Sequence, residues 1–271
     1  LIRRQRQMCI RDRSMFNDEY EGKNQLYAGD ISFIGSMYNE KHNLYDRLCG
    51  VNDYTKGYLD AIMKVQRSIY GYFFLEDMLK GDVLDEMMRV CPVKPNEDGV
   101  ETVQYVYANY FLARRMATDE RTDILSRVGR ELGKENKINL YTPDASVRFI
   151  NVNNKGTVDY YNEMPYVFRN SKINLNITLR SIKSGIPLRC MDICGAGGFL
   201  LSNYQADLYD VFVPGEDMVI YDSIDDLMNK CKYYLSHDAE RRQIAQNGFG
   251  KIEEKHTYDV RFEEIFNRVF N

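Results

Sequence analysis

The spacing of apolar residues changes near Lys137. Upstream, Leu59, Ile62, Met63, Ile69 and Phe73 recur at three- and four-residue steps. Val103, Val106, Tyr107, Tyr110 and Phe111 do the same, and Ile124, Leu125 and Val128 continue that second stripe. This period puts apolar side chains on one helical face, so it predicts helices across about 58–90 and from Val103 past Val128. Gly71 and Gly81 should break the first stretch into pieces. Cys91-Pro-Val-Lys-Pro95 and Asn96-Glu-Asp-Gly99 form a loop between the two. These helices read as scaffold, inserted at about 54–133 between a first strand and the rest of a sheet.

Downstream the apolar runs shorten. Ile138-Asn-Leu-Tyr-Thr142 is a short strand closed by Pro143. A second strand is expected over 147–152, then a turn at Asn153-Asn-Lys-Gly156, then Val158-Asp-Tyr160. Ile173, Leu175 and Ile177 alternate with Asn174 and Asn176, which predicts a strand with one polar face. Phe199-Leu-Leu201 and Met218-Val-Ile-Tyr221 read as buried strands. Helices are predicted over 188–194, from an N-cap at Ser223 to about Leu235, over 239–254 and over 259–270. Upstream of the helical stretch, Asp30-Ile-Ser-Phe-Ile34 reads as a strand that meets Gly35-Ser36, with a helix opening near Tyr38 and running to about Leu48. Short strands alternating with helices predict βαβ units and a parallel sheet.

Composition narrows the class. The 271 residues are 44% hydrophobic and 28% charged, which fits a globular chain and not a disordered or fibrous one. The net charge of −4 provides no basic field for nucleic acid or an anionic membrane. No stretch has the roughly 18 uncharged apolar residues of a spanning helix; the best candidate, 185–204, contains Arg189 and Asp192. A soluble, cytoplasmic protein is expected. The six cysteines, at 9, 49, 91, 190, 194 and 231, form no CxxC pair and read as reduced thiols. The first thirteen residues carry five Arg and one Asp without a helical or strand period, and read as a non-native or disordered leader.

In an open parallel sheet, ligands bind outside the carboxyl ends of the strands, so the loops after strands carry the candidate chemistry. Gly35-Ser36 would let backbone N–H groups approach an anion ahead of a helix start, or is a plain turn. Ser184-Gly-Ile-Pro187 leads into the helix bearing Arg189 and Asp192. A carboxylate at Asp192 can accept the paired hydroxyls of a ribose or sugar; the plain alternative is an ion pair with Arg189. Gly195-Ala-Gly-Gly198 permits close helix–strand packing and close ligand approach. It follows a helix and precedes a strand, the reverse of the dinucleotide fingerprint, and no phosphate-binding GxxxxGK[ST] loop occurs.

Several stretches, in this order and spacing, resemble the C-terminal domain of the CgeB-like glycosyltransferases, a group-1 type family with the GT-B fold. They are Glu163-Met-Pro165, Ser171-Lys-Ile-Asn-Leu-Asn-Ile177, Ser184-Gly-Ile-Pro-Leu-Arg189, Asp192 and Gly195-Ala-Gly-Gly-Phe-Leu200. Pro214-Gly215, Tyr233-Tyr-Leu235, Arg241, Ala245, Gly248 and His256-Thr257 continue the likeness. The resemblance runs from about Lys137 to Phe270. It implies a Rossmann-like parallel sheet flanked by helices, the C-terminal half of a GT-B fold, with residues 14–271 as the nucleotide-sugar-binding domain and the acceptor lobe lying upstream of the chain.

The resemblance also implies transfer of a sugar from a nucleotide-diphosphate donor to a glycan or protein acceptor of the cell surface or spore coat. No cofactor and no metal ion are expected. Asp192 would hold ribose hydroxyls, Gly35 and Ser36 would approach the diphosphate, and Gly195, Gly197, Gly198 and Phe199 would line the donor cleft. Tyr141 and Tyr160 stand where the base could stack, or are ordinary core or surface tyrosines. Arg189 or Lys41 would neutralise the departing diphosphate. Related enzymes carry two acidic residues eight apart. The second position matches Asp192 here, and the first matches Ser184, which is not acidic. That departure keeps open a non-catalytic GT-B-like interaction module. His42, His237 and His256 read as structural.

Overall fold

The computed structural model describes residues 21–39, 43–95 and 101–270. Helix α1 (Glu21–Tyr27) leads into β1 (Gly29–Ile34), and a 3-10 turn follows at Leu44–Leu48. Helices α2 (Asp53–Arg67), α3 (Leu75–Met78) and α4 (Gly81–Val90) come next. Helix α5 (Val103–Val106) passes through a π-helical segment, Tyr107–Leu112, into α6 (Ala113–Leu132). The remainder alternates: β2 (Ile138–Tyr141), β3 (Val152–Asn154), α7 (Met164–Asn170), β4 (Ser171–Asn176), α8 (Leu188–Gly195), β5 (Leu200–Asn203), β6 (Val219–Tyr221), α9 (Ile224–Ser236), α10 (Asp238–Lys255) and α11 (Tyr258–Phe270).

The six strands form one sheet in the order β3-β2-β1-β4-β5-β6, every pair parallel. The fold is therefore α/β, a Rossmann-like parallel sheet flanked by helices. The chain divides into two compact units. The first holds the sheet: residues up to Gly35, Ser126–Ile177 and everything from Gly185 on. The second comprises Ser36–Leu125 with the short segment Thr178–Ser184. Each has its own core. In the first, Ile34, Tyr166, Val167, Ile193, Leu200 and Met218 pack together; in the second, Leu59, Leu75, Met87, Tyr107, Phe111 and Leu112 do.

Local chemistry explains most boundaries. The side chains of Asn52, Thr102 and Ser223 accept the N–H of the third residue along, at Thr55, Tyr105 and Asp226, and so start α2, α5 and α9. In the stretch where Gly71 and Gly81 were expected to break a helix, α2 stops at Arg67, Gly71 lies in the following loop at φ 78°, and Gly81 begins α4 at φ 57°.

Four expectations shift. The strand expected over 147–152 is a loop that becomes β3 only at Val152, because Asn151 adopts a left-handed φ of 57° and Asn154 Nδ2 donates to the carbonyls of Asp144 and Val147. The turn expected at Asn153–Gly156 shortens, because Asn153 and Asn154 belong to β3, and Val158–Tyr160 beyond it lies in a loop. The Asp159 carboxylate accepts the N–H groups of Tyr161 and Asn162 and turns the chain. The polar face of β4 is buried: Ser32 Oγ donates to Asn174 Oδ1 at 2.8 Å, and Asn176 Nδ2 to Ser202 Oγ at 2.9 Å, so the asparagines are satisfied inside the protein. Between Asn43 and Leu48 only the 3-10 turn forms; His42 and Lys41 lie outside the described residues, as do residues 1–13.

Candidate functional site

The strand order reverses between β1 and β4, the switch point at whose carboxyl side such sheets bind ligands. Helix α8 connects β4 to β5, so its first turn lies at the carboxyl ends and its last turn at the amino ends. Cys190 fixes that level: its sulfur lies 3.4 Å from Asn176 Nδ2, at the last residue of β4, and 3.9 Å from Ser202 Oγ in β5. Pro187 at the N-cap leaves α8 without a side-chain cap.

Two residues beyond Cys190, Asp192 is turned inward, its side chain 6% exposed. The Tyr160 hydroxyl stands 3.3 and 3.4 Å from its two oxygens, and the Arg189 guanidinium 3.9 Å away. Arg189 also lies over the Phe168 ring, 5.4 Å from its centroid, and touches Met164 Sδ. Burial pushes the Asp192 carboxyl up to about 6, against the opposing pull of Arg189 and the Tyr160 hydroxyl. Burial likewise lowers Arg189 from its ordinary value. The result is a desolvated carboxylate with long, weak contacts, next to a guanidinium in the same environment. Such a group is well disposed to accept a diol, since each oxygen retains lone pairs beyond the tyrosine.

The family model for glycosyl transferase-like proteins matches residues 121–267. The chain belongs to the glycosyl transferase-like family. The matched stretch takes in β2 to β6, Tyr160, Arg189 and Asp192, and leaves out β1. No curated protein matches. The crystal structure of TarM is similar over 55% of this chain at 16% identity and a TM-score of 0.42, a level that decides nothing about function. The chain spans 31% of the length of that structure's chain. No helix among the described residues is long and apolar enough to cross a membrane.

Of the residues singled out in this family member's sequence, the structure brings together Tyr160, Arg189 and Asp192. Gly35 follows β1, and its N–H donates to Tyr141 O at 3.0 Å and extends the ladder. Ser36 begins the second unit; its Oγ accepts the Tyr38 N–H at 2.9 Å and its carbonyl accepts from Arg121. Ser184 is exposed in the second unit, and the adjacent Gly185, in the first, donates its N–H to Asp207.

Tyr141 requires correction. Its ring is 3% exposed within the sheet core and burial pushes its hydroxyl up to about 12, so it presents no face for a base to stack on. Gly195, Gly197, Gly198 and Phe199 also move. They lie between the end of α8 and the start of β5, at the amino ends of the strands, so they do not line a cleft at the carboxyl ends. Gly198 is there for packing, because a Cβ would meet Phe168 O at 2.7 Å and Asn174 Nδ2 at 2.8 Å. Gly197 takes a φ of 77° in the turn, and Phe199 packs on Tyr234 with centroids 4.8 Å apart.

Sequence reasoning missed the Tyr160 hydroxyl as the partner of Asp192 and the Phe168 and Met164 shelf beneath Arg189. Both shelf residues lie on α7, which begins at the Glu163-Met-Pro165 motif, but the sequence predicted no helix there and no spacing rule links it to Arg189. Thr142, after β2, is 1% exposed and its hydroxyl has no partner among the described residues. It is a further polar group at a strand tip.

Proposed function

We propose that this chain binds a nucleotide-diphosphate sugar at the carboxyl ends of its sheet, in the manner of the GT-B enzymes, and acts in transferring that sugar to a cell-surface or spore-coat acceptor. The buried Asp192 carboxylate between Tyr160 and Arg189 is the observation that carries this reading. In it, Asp192 accepts the two ribose hydroxyls and Tyr160 fixes the carboxylate's orientation. Arg189 faces the diphosphate. As the bond from the sugar's anomeric carbon to the diphosphate breaks and a bond to the acceptor oxygen forms, the leaving oxygens gain negative charge. A desolvated guanidinium stabilises that charge more strongly than one in water.

Calorimetry with UDP, GDP and ADP tests this. At least one should bind, and Asp192→Ala should weaken it by tenfold or more. The release of nucleotide from the matching sugar nucleotide then reports transfer. If none of the three binds the wild-type chain, donor chemistry is excluded. The favoured reading is then the interaction module, for which Ser184 in place of a carboxylate is the supporting observation.

A further inference from the structure

The amino ends of the strands hold a second polar site, at the opposite end of α8 from Pro187. A cavity of about 260 Å³ is lined there by Arg169, Ser171, Lys172, Asp238, Arg241 and Arg242. Three elements converge to build it. Arg169 and Lys172 flank the point where α7 gives way to β4, and Arg241 and Arg242 sit in the first turns of α10. Gly197 stands at the cavity wall, where a Cβ would meet nothing within 4 Å.

Four cations therefore face one lining carboxylate. Arg241 and Arg242 both bond to Asp238, the latter at 2.7 Å, and Lys172 reaches Asp30 at 2.7 Å. The hydrogen bond from Arg241, joined by the charges of Arg242 and Lys172, holds the Asp238 carboxyl below its ordinary range. Arg241 is itself buried and is held by Tyr234 O at 3.0 Å, so its guanidinium is pre-positioned. Ser171 is among the residues lining the cavity and is 5% exposed, and its buried hydroxyl has no hydrogen-bond partner among the described residues. A buried hydroxyl left in that state costs free energy that an oxyanion could recover by accepting its proton.

We propose that this cavity is a binding site for a phosphate monoester group, separate from the donor site. The phosphate oxygens accept from Lys172, Arg242 and the Ser171 hydroxyl, and the cavity has volume for a sugar attached to that phosphate. The inference does not depend on the donor reading, since no residue is shared with the Asp192 cluster.

Calorimetry at low salt with inorganic phosphate, glucose 6-phosphate and glucose tests it. One or both phosphate probes should bind at one per chain, and glucose should not. Comparable affinities for the two probes identify free phosphate as sufficient, and tighter binding of glucose 6-phosphate identifies a sugar phosphate. The double variant Lys172→Ala/Arg242→Ala, both sites exposed, should weaken binding by roughly tenfold. Ser171→Ala should weaken it by roughly threefold, and Asp192→Asn should leave it unchanged. Absence of binding by both phosphate probes, equal affinity in the double variant, or loss of binding in Asp192→Asn each overturns the proposal.

Discussion

Asp192 sets the pH dependence at the scale of single residues. Its pKa lies at about 6 in the folded chain, above the ordinary 3.8, so between those values the folded state holds a proton that the unfolded state has released. Stability contributed by this group is therefore present at low pH, falls as pH rises from about 4 to 6, and is level above that. Two pKa units correspond to at most about 3 kcal/mol. Urea unfolding at pH 4.5 and 7 should show this fall in the wild type over and above the pH trend that Asp192→Asn shows. If the carboxylate is also the ribose acceptor, the affinity gap for UDP between wild type and Asp192→Asn should narrow as pH drops below about 6. The sequence singled out Asp192 through its family resemblance, since by spacing alone a carboxylate one turn into that helix reads as well as an ion-pair partner of Arg189. It could not single out the Tyr160 hydroxyl as its partner, because the two are 32 residues apart and only the packing of the loop before α7 against α8 joins them.

Glycines separate packing from propensity among the elements. Gly57 lies within α2, where a Cβ would meet nothing within 4 Å, so Gly57→Ala should stabilise by about 0.5–1 kcal/mol in thermal or urea unfolding. Gly129 in α6 is its opposite: a Cβ would collide with the Ile150 carbonyl and Val152 ahead of β3. Gly129→Ala should destabilise by about 1–3 kcal/mol despite the better helix propensity.

In the second unit, Arg180 and Glu120 form a buried pair at 2.6 Å, each side chain 4% exposed. Arg180 also bonds to Arg67 O and covers the Tyr70 ring. Removing one partner by Glu120→Ala should cost about 3–5 kcal/mol, because it strands a buried cation. The helical stripes and the Ser223 cap were legible, since each depends on residues within one or two turns, whereas the caps at Asn52 and Thr102 were not singled out. Helix α7 was not, because its seven residues are too few to show a period. The start of β3 was misplaced because Asn151, not an apolar residue, sets it.

The whole molecule couples binding to folding. A nucleotide that binds only the folded state should stabilise it by about 2.7 kcal/mol at a concentration 100 times its Kd. Thermal melts with UDP should show that increment in the wild type and lose most of it in Asp192→Ala. Melts with inorganic phosphate should show a rise that Lys172→Ala/Arg242→Ala removes and Asp192→Ala retains. This pair of measurements tests the two proposed sites independently of each other.

The period of the apolar residues, the capping side chains and the order of short strands and helices determined that this chain is α/β with a helical stretch between its first and second strands. Those features are local, and a local pattern is written directly in the residues. The sheet order β3-β2-β1-β4-β5-β6 and the direction of α8 are different, because they follow from which buried faces meet. Only that meeting put Asp192 beside Tyr160, hid Tyr141 in the core, and moved Gly197 and Phe199 to the amino ends beside four cations from separate parts of the chain. A sequence fixes which residues can carry charge or turn sharply. The edge of the sheet at which each of them arrives depends on long-range packing, which no single spacing along the chain encodes.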